Sequence, residues 1–240
     1  MKNFKAIYSI NFDKIPRSSK RITYLIFHYT GMASEKKAIQ RLTSKRSKVS
    51  CHYFIRRNGE IINMVPDKYI AWHAGVSSWK NHKNLNDKSI GIEIQNSGHS
   101  GKYERFTNKQ IKSLLFLTKI LKKKYLIKSK NVLGHSDIAP NRKKDPGEKF
   151  PWKYLAEQKI GIWYNLPNDL KLRDTEVSTK EKKIFYLYLK KIGYCIQKKS
   201  KNSKSVVRAF QRRYRPEIIN GKIDKESLVI AKNLVKCGLN

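Results

Sequence analysis

Apolar residues fall along this chain in short runs, and two periods recur in them. Arg21 to Tyr29 is rich in Tyr, Leu, Ile and Phe and reads as a buried central strand, ended by Gly31. Ser34 can cap a helix running to about Lys45, with Ala38, Ile39 and Leu42 on its inner face. His52–Arg56 and Glu60–Val65 are two further strand patterns, and the Asn58-Gly59 turn between them is a strong hairpin signal. SIGIEIQ, from Ser89 to Gln95, alternates strictly. It places Ile90, Ile92 and Ile94 on one face and Gly91, Glu93 and Gln95 on the other. Thr107 and Gln110 form a capping box, followed by a helical stripe of Ile111, Leu114, Leu115, Thr118 and Leu121. Asn131–Gly134 is a short strand that delivers His135.

Between these elements the pattern is weaker. Residues 1–20 read as an irregular lead-in, and residues 67–88, with Trp72, His73, Trp79 and His82, as a loop. Phe150 to Asp174 reads as a linker packed on the first domain. Three helical patterns follow, from about Thr179 to Gly193, Ser203 to Tyr214 and Asp224 to Cys237. Asn220-Gly221 makes the turn before the last of them, and Asp224 can cap it. The expected architecture is α/β. A central mixed sheet is flanked by helices over residues 1–174, with the linker from about 150, and a small three-helix domain occupies 175–240.

Composition changes this picture little. Hydrophobic residues make up 39% and aromatic residues 11% of the 240, enough for a core. Lys and Arg total 53 against 18 Asp and Glu, a net charge of +35. Such a charge predicts attraction to polyanions without specifying a fold. The bases are scattered along the chain, with Lys122-Lys123-Lys124 the longest run, and no recognition motif accompanies them. Specific nucleic-acid binding is therefore not expected. No apolar run is long enough for a transmembrane helix. The N-terminal residues show neither an apolar signal core nor an early cysteine for a lipid, which leaves both an envelope and a cytoplasmic location open. Cys51, Cys195 and Cys237 lie far apart and argue against a disulfide framework or a cysteine zinc cluster.

The chemistry gathers around GHSDIAPNRKKDPG, Gly134 to Gly147. Pro140, Pro146 and Gly147 break helix here, so the segment is a shaped loop. It carries His135 and Asp145, with Lys143 two positions before the aspartate. An imidazole and a carboxylate suit zinc, and a catalytic zinc takes three protein ligands. His28, at the end of its strand, is the best third candidate. Glu93 is a carboxylate on the strand face opposite three isoleucines and is the natural general base. The Lys143 cation can stabilise an oxyanion. Each of these residues alone has a plain structural explanation. Five complementary groups at strand and loop ends together point to a metal-assisted amide or ester hydrolase.

These residues resemble a known family, the zinc-dependent N-acetylmuramoyl-L-alanine amidases of the type-2 group, related to phage lysozyme-type amidases and peptidoglycan recognition proteins. The matching segments are FHYTG (27–31), VSCHYFIRRNGEI (49–61), AWHAGVSSW (71–79), NDKSIGIEIQN (86–96) and GHSDIAPNRKKDPG (134–147). The resemblance implies one zinc per chain on His28, His135 and Asp145, with Glu93 as acid/base and Lys143 stabilising the transition state. It implies cleavage between N-acetylmuramic acid, or its 1,6-anhydro form, and L-alanine, in cell-wall turnover or recycling. His52, Trp72 and His73 lie in family motifs and are expected near substrate. Asp145 stands where phage and animal relatives commonly have cysteine, which points to the bacterial subgroup. Cys51 stands where some relatives carry an assisting tyrosine. VVRAFQRRYRPEIINGKIDKESL (206–228) resembles a three-helix peptidoglycan-binding domain. The implied partners are peptidoglycan and muropeptides, and a monomer is expected. On this reading residues 175–240 bind polymeric wall and are dispensable for cutting small muropeptides. A recognition module that binds without cutting is the rival reading, and the presence of every ligand and of Glu93 speaks against it.

Overall fold

Strict alternation puts Ser89–Ile94 in the middle of a sheet buried on both sides, and the fold is built outward from it. The computed structural model describes residues 4–167, 172–196 and 202–237. Its strands are β1 Lys5–Ala6, β2 Phe12–Asp13, β3 Tyr24–Tyr29, β4 Tyr53–Ile55, β5 Ile61–Asn63, β6 Ile70–Ala71, β7 Ser78–Trp79, β8 His82–Lys83, β9 Ser89–Ile94 and β10 Val132–Gly134. Its helices are α1 Glu35–Thr43, α2 Asn108–Tyr125, α3 His135–Ile138, α4 Trp152–Glu157, α5 Thr179–Ile192, α6 Asn202–Tyr214 and α7 Lys225–Cys237. The main sheet is mixed, in the order β1-β5-β4-β9-β3-β10. The β4–β5 hairpin is antiparallel, and the other neighbours run parallel. Gly59 turns the hairpin at φ +87°, a conformation glycine adopts without strain. Two short antiparallel ribbons, β2–β6 and β7–β8, stand beside the sheet.

Three stretches are more ordered than their sequence pattern suggests. The lead-in supplies β1 and β2, each too short to show a period. The 67–88 loop contains β6, β7 and β8. The expected linker contains α4, which buries Trp152 and Leu155 one turn apart; residues 168–171 of that linker lie outside the described residues.

The two sheet faces have different covers. Leu25, Phe27, Ile90, Ile92 and Ile94 pack against Leu114, Leu117 and Leu121 of α2. The stripe on α2 is turned slightly from the expected one, burying Gln110 and Leu117 and leaving Ile111 and Leu115 partly buried. Gln110 explains the turn. Its Oε1 accepts from the Thr107 N–H at 3.0 Å and its Nε2 donates to the Gln95 carbonyl at 2.7 Å, which pins the helix start to β9. The opposite face presents Tyr24, Ile26 and Leu133. It shares one apolar cluster with Phe185, Leu189, Phe210, Ile230 and Leu234 of the C-terminal helices. A smaller cluster joins Ala38 and Leu42 of α1 to Phe54, Ile62 and Met64.

The C-terminal helices are thus part of the same core as the sheet. The boundary near 174 marks a change of sequence pattern and not a gap in packing. A buried polar contact reinforces the junction. Arg213 Nη1 meets Asp137 Oδ2 at 2.5 Å, and Tyr194 donates from its hydroxyl to Asp137 Oδ1 at 2.8 Å. Arg213 also donates to the Val132 carbonyl at 3.0 Å and lies over the Trp152 ring at 4.0 Å. Both charges are almost fully buried, at 2% and 0% side-chain exposure. Asp137 sits two residues after His135, so the C-terminal helices brace the loop that holds the site. Breaking a buried pair by removing one partner costs about 3–5 kcal/mol. For Arg213→Met, in thermal melts, this predicts a Tm drop on the order of 10 °C for a chain of this length. A chain ending near Asp174 should melt lower still. Wild-type melting of Arg213→Met would show that the pair holds nothing.

Candidate metal centre and groove

Parallel strands put their carboxyl ends on one edge of a sheet, and loops beyond that edge form a crevice. Here β3, β9 and β10 bring three functional groups to that edge. His28 lies one residue before the end of β3 and pairs in register with Glu93 of β9. His135 follows β10 directly and opens α3. Asp145 is ten residues further on, and its backbone carbonyl accepts from the Ser136 N–H at 2.8 Å, which folds the loop back on its start. The Arg142 and Lys143 N–H groups both donate to the Ala139 carbonyl and tighten the turn between.

The three side chains converge. His28 Nδ1 lies 2.9 Å from His135 Nδ1 and 3.0 Å from Asp145 Oδ2. His135 Nδ1 lies 3.0 Å from the same oxygen. All three residues are buried, and each directs one ligand atom at the others. His135 Nε2 is 3.0 Å from the Ala74 carbonyl, which can only accept, so the His135 proton is on Nε2 and Nδ1 is a bare lone pair. Arg142 holds that carbonyl in place by donating to it and to the Val76 carbonyl. Burial pushes the His28 imidazole down to about 4, with the neighbouring His135 adding to it and Asp145 opposing. Burial would raise the Asp145 carboxyl, but its neighbours His135 and His28 outweigh it and hold it well below the ordinary carboxylate range. Two imidazoles and an ionised carboxylate are a donor set that fits a divalent zinc ion.

A groove of about 560 Å³ opens over this cluster. Its walls are α1, with Ala38, Arg41 and Leu42, and the 139–147 loop, with Arg142, Lys143 and Lys144. Glu93 lies on its floor with Asp145. The Glu93 Oε2 atom is buried and has no hydrogen-bond partner among the described residues. Trp72 lies on the groove wall and donates from Nε1 to Asp13 Oδ1 at 2.7 Å. His73 reaches the groove edge, but both its ring nitrogens are engaged inside the protein, with His28 and Ser89. His52 is fully buried behind the groove. Its Nδ1 accepts from the Gly91 N–H and its Nε2 faces the Tyr69 carbonyl, so it holds backbone and does not line the groove. Several residues of the groove carry no clear signal in the sequence, Arg41, His99, Arg142 and Lys144 among them. Arg142 lies inside the motif and was hidden among other cations. His99, paired with Tyr29 and Glu148, had no signal in the pattern around it.

Such a layout suits metal-assisted hydrolysis. Comparison with known proteins agrees. The family model described as N-acetylmuramoyl-L-alanine amidase matches residues 18–148. The chain is 37% identical over 235 residues to the Escherichia coli N-acetylmuramoyl-L-alanine amidase AmiD, covering 90% of this chain and 83% of AmiD. The solved complex of E. coli AmiD with anhydro-N-acetylmuramic acid-L-Ala-D-gamma-Glu-L-Lys superposes with a TM-score of 0.81 at 36% identity, over 92% of this chain and 91% of that one. AmpDh3 from Pseudomonas aeruginosa superposes equally well, TM-score 0.81 at 32% identity, over 98% of this chain and all of that one (100%). The chain belongs to the type-2 N-acetylmuramoyl-L-alanine amidase family.

Glu93 gives this site a testable pH signature. Burial pushes its carboxyl up to about 8, with Asp145 adding and Lys143 opposing. The folded value therefore lies above the unfolded one, about 4.5. Stability from the neutral carboxyl is complete below about 4.5 and lost as pH rises to about 8. In chelator-treated protein, the wild-type Tm should fall across that window while Glu93→Gln, always neutral, falls less. Parallel curves would contradict the burial of an unpaired carboxyl.

Proposed function

We propose that the chain is a zinc-dependent amidase that cleaves the bond between N-acetylmuramic acid, or its 1,6-anhydro form, and L-alanine of the stem peptide. The observation that carries this reading is the meeting of two imidazoles and a carboxylate beside a half-buried glutamate whose Oε2 is buried without a hydrogen-bond partner among the described residues. His28, His135 and Asp145 hold the ion, one per chain. A zinc ion there supplies Lewis acidity to the attacking water and the scissile carbonyl. Glu93 takes the water proton and passes it to the leaving nitrogen. A carboxyl can serve both steps, since it can bind and release the same proton. Lys143 lies on the groove wall and places a cation near the oxygen on which charge develops. Arg41 and Lys144 on the rim offer partners for the carboxylates of a stem peptide. Trp72 supplies an aromatic wall.

The relatives support the substrate. AmiD was solved with an anhydromuramyl peptide, and this chain matches it along nearly its whole length. The C-terminal helices remain our proposal for a wall-binding unit on their sequence pattern, with a second role as a brace for the His135 loop. No helix of the described residues is long and apolar enough to cross a membrane.

The test is digestion of an anhydromuramyl peptide, read by mass spectrometry, alongside metal analysis. Wild type should carry zinc and release the free peptide. His135→Ala should lose both metal and activity. Glu93→Gln should keep the metal and lose turnover by a factor on the order of 10²–10⁴, the usual share of general acid–base catalysis. Lys143→Ala should lower kcat more than it raises KM, because its contribution belongs to the transition state. Full activity in Glu93→Gln would assign the proton transfer to another group.

A further inference from the structure

The strand β9 presents Ser89, Gly91 and Glu93 on one face by simple alternation. Glu93 is on the groove floor. The other two build something behind His28. His73 lies flat over Gly91, and a Cβ at that position would stand 2.3 Å from the His73 ring. A glycine is therefore required there for the ring to fit. The ring bridges two partners. His73 Nδ1 is 3.0 Å from His28 Nε2, and His73 Nε2 is 3.2 Å from Ser89 Oγ.

The protons in this chain of contacts have one consistent arrangement. Ser89 Oγ lies 2.6 Å from the Leu85 carbonyl. A carbonyl can only accept, so the single hydroxyl proton is spent there. Ser89 must then accept from His73, which places the His73 proton on Nε2 and leaves Nδ1 as an acceptor. His28 must in turn donate from Nε2. Its Nδ1 is left as a bare lone pair, facing His135 Nδ1 and Asp145 Oδ2. The chain from a backbone carbonyl to the cluster thus sets which nitrogen of His28 can bind a metal. The other histidine of the cluster is set directly by the Ala74 carbonyl. Metal-bound imidazoles need such partners to fix tautomer and ring orientation. The Asn86 side chain seats the segment by accepting from the His73 and Ala74 N–H groups.

We propose that His73 is a positioning residue which, through Ser89 and the space above Gly91, fixes the His28 tautomer that binds the metal. The proposal rests on the zinc reading above and replaces a substrate-contact role for His73.

The experiment uses the full chain and zinc alone, with affinity measured by competition against a chromogenic chelator. His73→Leu keeps bulk but removes the acceptor for His28 Nε2. It should bind zinc roughly 10- to 100-fold more weakly, the usual loss when an outer partner of a metal-bound histidine is removed. His73→Asn places an amide oxygen close to where Nδ1 stood and should recover most of the affinity. Gly91→Ala should mimic His73→Leu by displacing the ring. Nitrogen-15 histidine spectra of the zinc-loaded wild type should show the His73 proton on Nε2, a readout that needs no variant to fold. A wild-type protein that binds zinc tightly while His73→Leu binds it equally well would overturn the positioning role and leave the zinc reading standing. A His73 proton on Nδ1 would do the same. A wild-type protein that binds no zinc would overturn both.

Discussion

Two imidazole nitrogens and a carboxylate oxygen stand about 3 Å apart in a buried place. Like-signed electron density at that distance in a low-dielectric setting is unfavourable until a cation relieves it. The fold has to hold this arrangement against that repulsion. It does so with rigid parts. Parallel strands β3 and β10 fix His28 and His135, and a loop tied at Ser136 and Asp145 fixes the carboxylate. Behind them, Ala74 and His73 take the outward protons of the two rings.

The same constraint explains the weight of polar groups buried around the site. Asp137 holds the start of the His135 segment by accepting from the Gly134 N–H at 2.8 Å, and Arg213 and Tyr194 neutralise and satisfy it from the C-terminal helices. Tyr103 reaches from the far side to the Pro146 carbonyl at 2.8 Å. Each contact removes a way for the loop between His135 and Asp145 to relax. The C-terminal part of the chain therefore packs directly on the support of the His135 segment.

Much of this was legible from the residues. The alternation of Ser89–Gln95 gave the central strand and the face of Glu93, and the Asn58-Gly59 turn gave the hairpin. The capping box at Thr107 fixed the start of α2. The convergence of His28, His135 and Asp145 was inferred from residue chemistry and resemblance, and the geometry brings the three together. What was not legible depends on distance along the chain. Asp137 and Arg213 are 76 positions apart, and no local period links them. His73 sits in a segment with no period at all, so its place behind His28 could not be read from its neighbours. His52 lies in the same motif class yet is sealed in by the Gly91 N–H, the Tyr69 carbonyl and the Arg17 guanidinium. Strands of two residues and a six-residue helix leave no clear periodic trace, so the ribbons and α4 have no signature in the sequence.

The most direct test of the account is X-ray absorption at the zinc edge on the zinc-loaded full chain. The three donors predict a first shell of nitrogen and oxygen at about 2.0–2.2 Å, with the outer scattering of two imidazoles and room for an exchangeable oxygen. Cys51 is buried, with its thiol directed at the Met64 sulfur, and should contribute nothing. A sulfur shell at about 2.3 Å, or a first shell without imidazole, would contradict the assignment of His28, His135 and Asp145 as the metal centre.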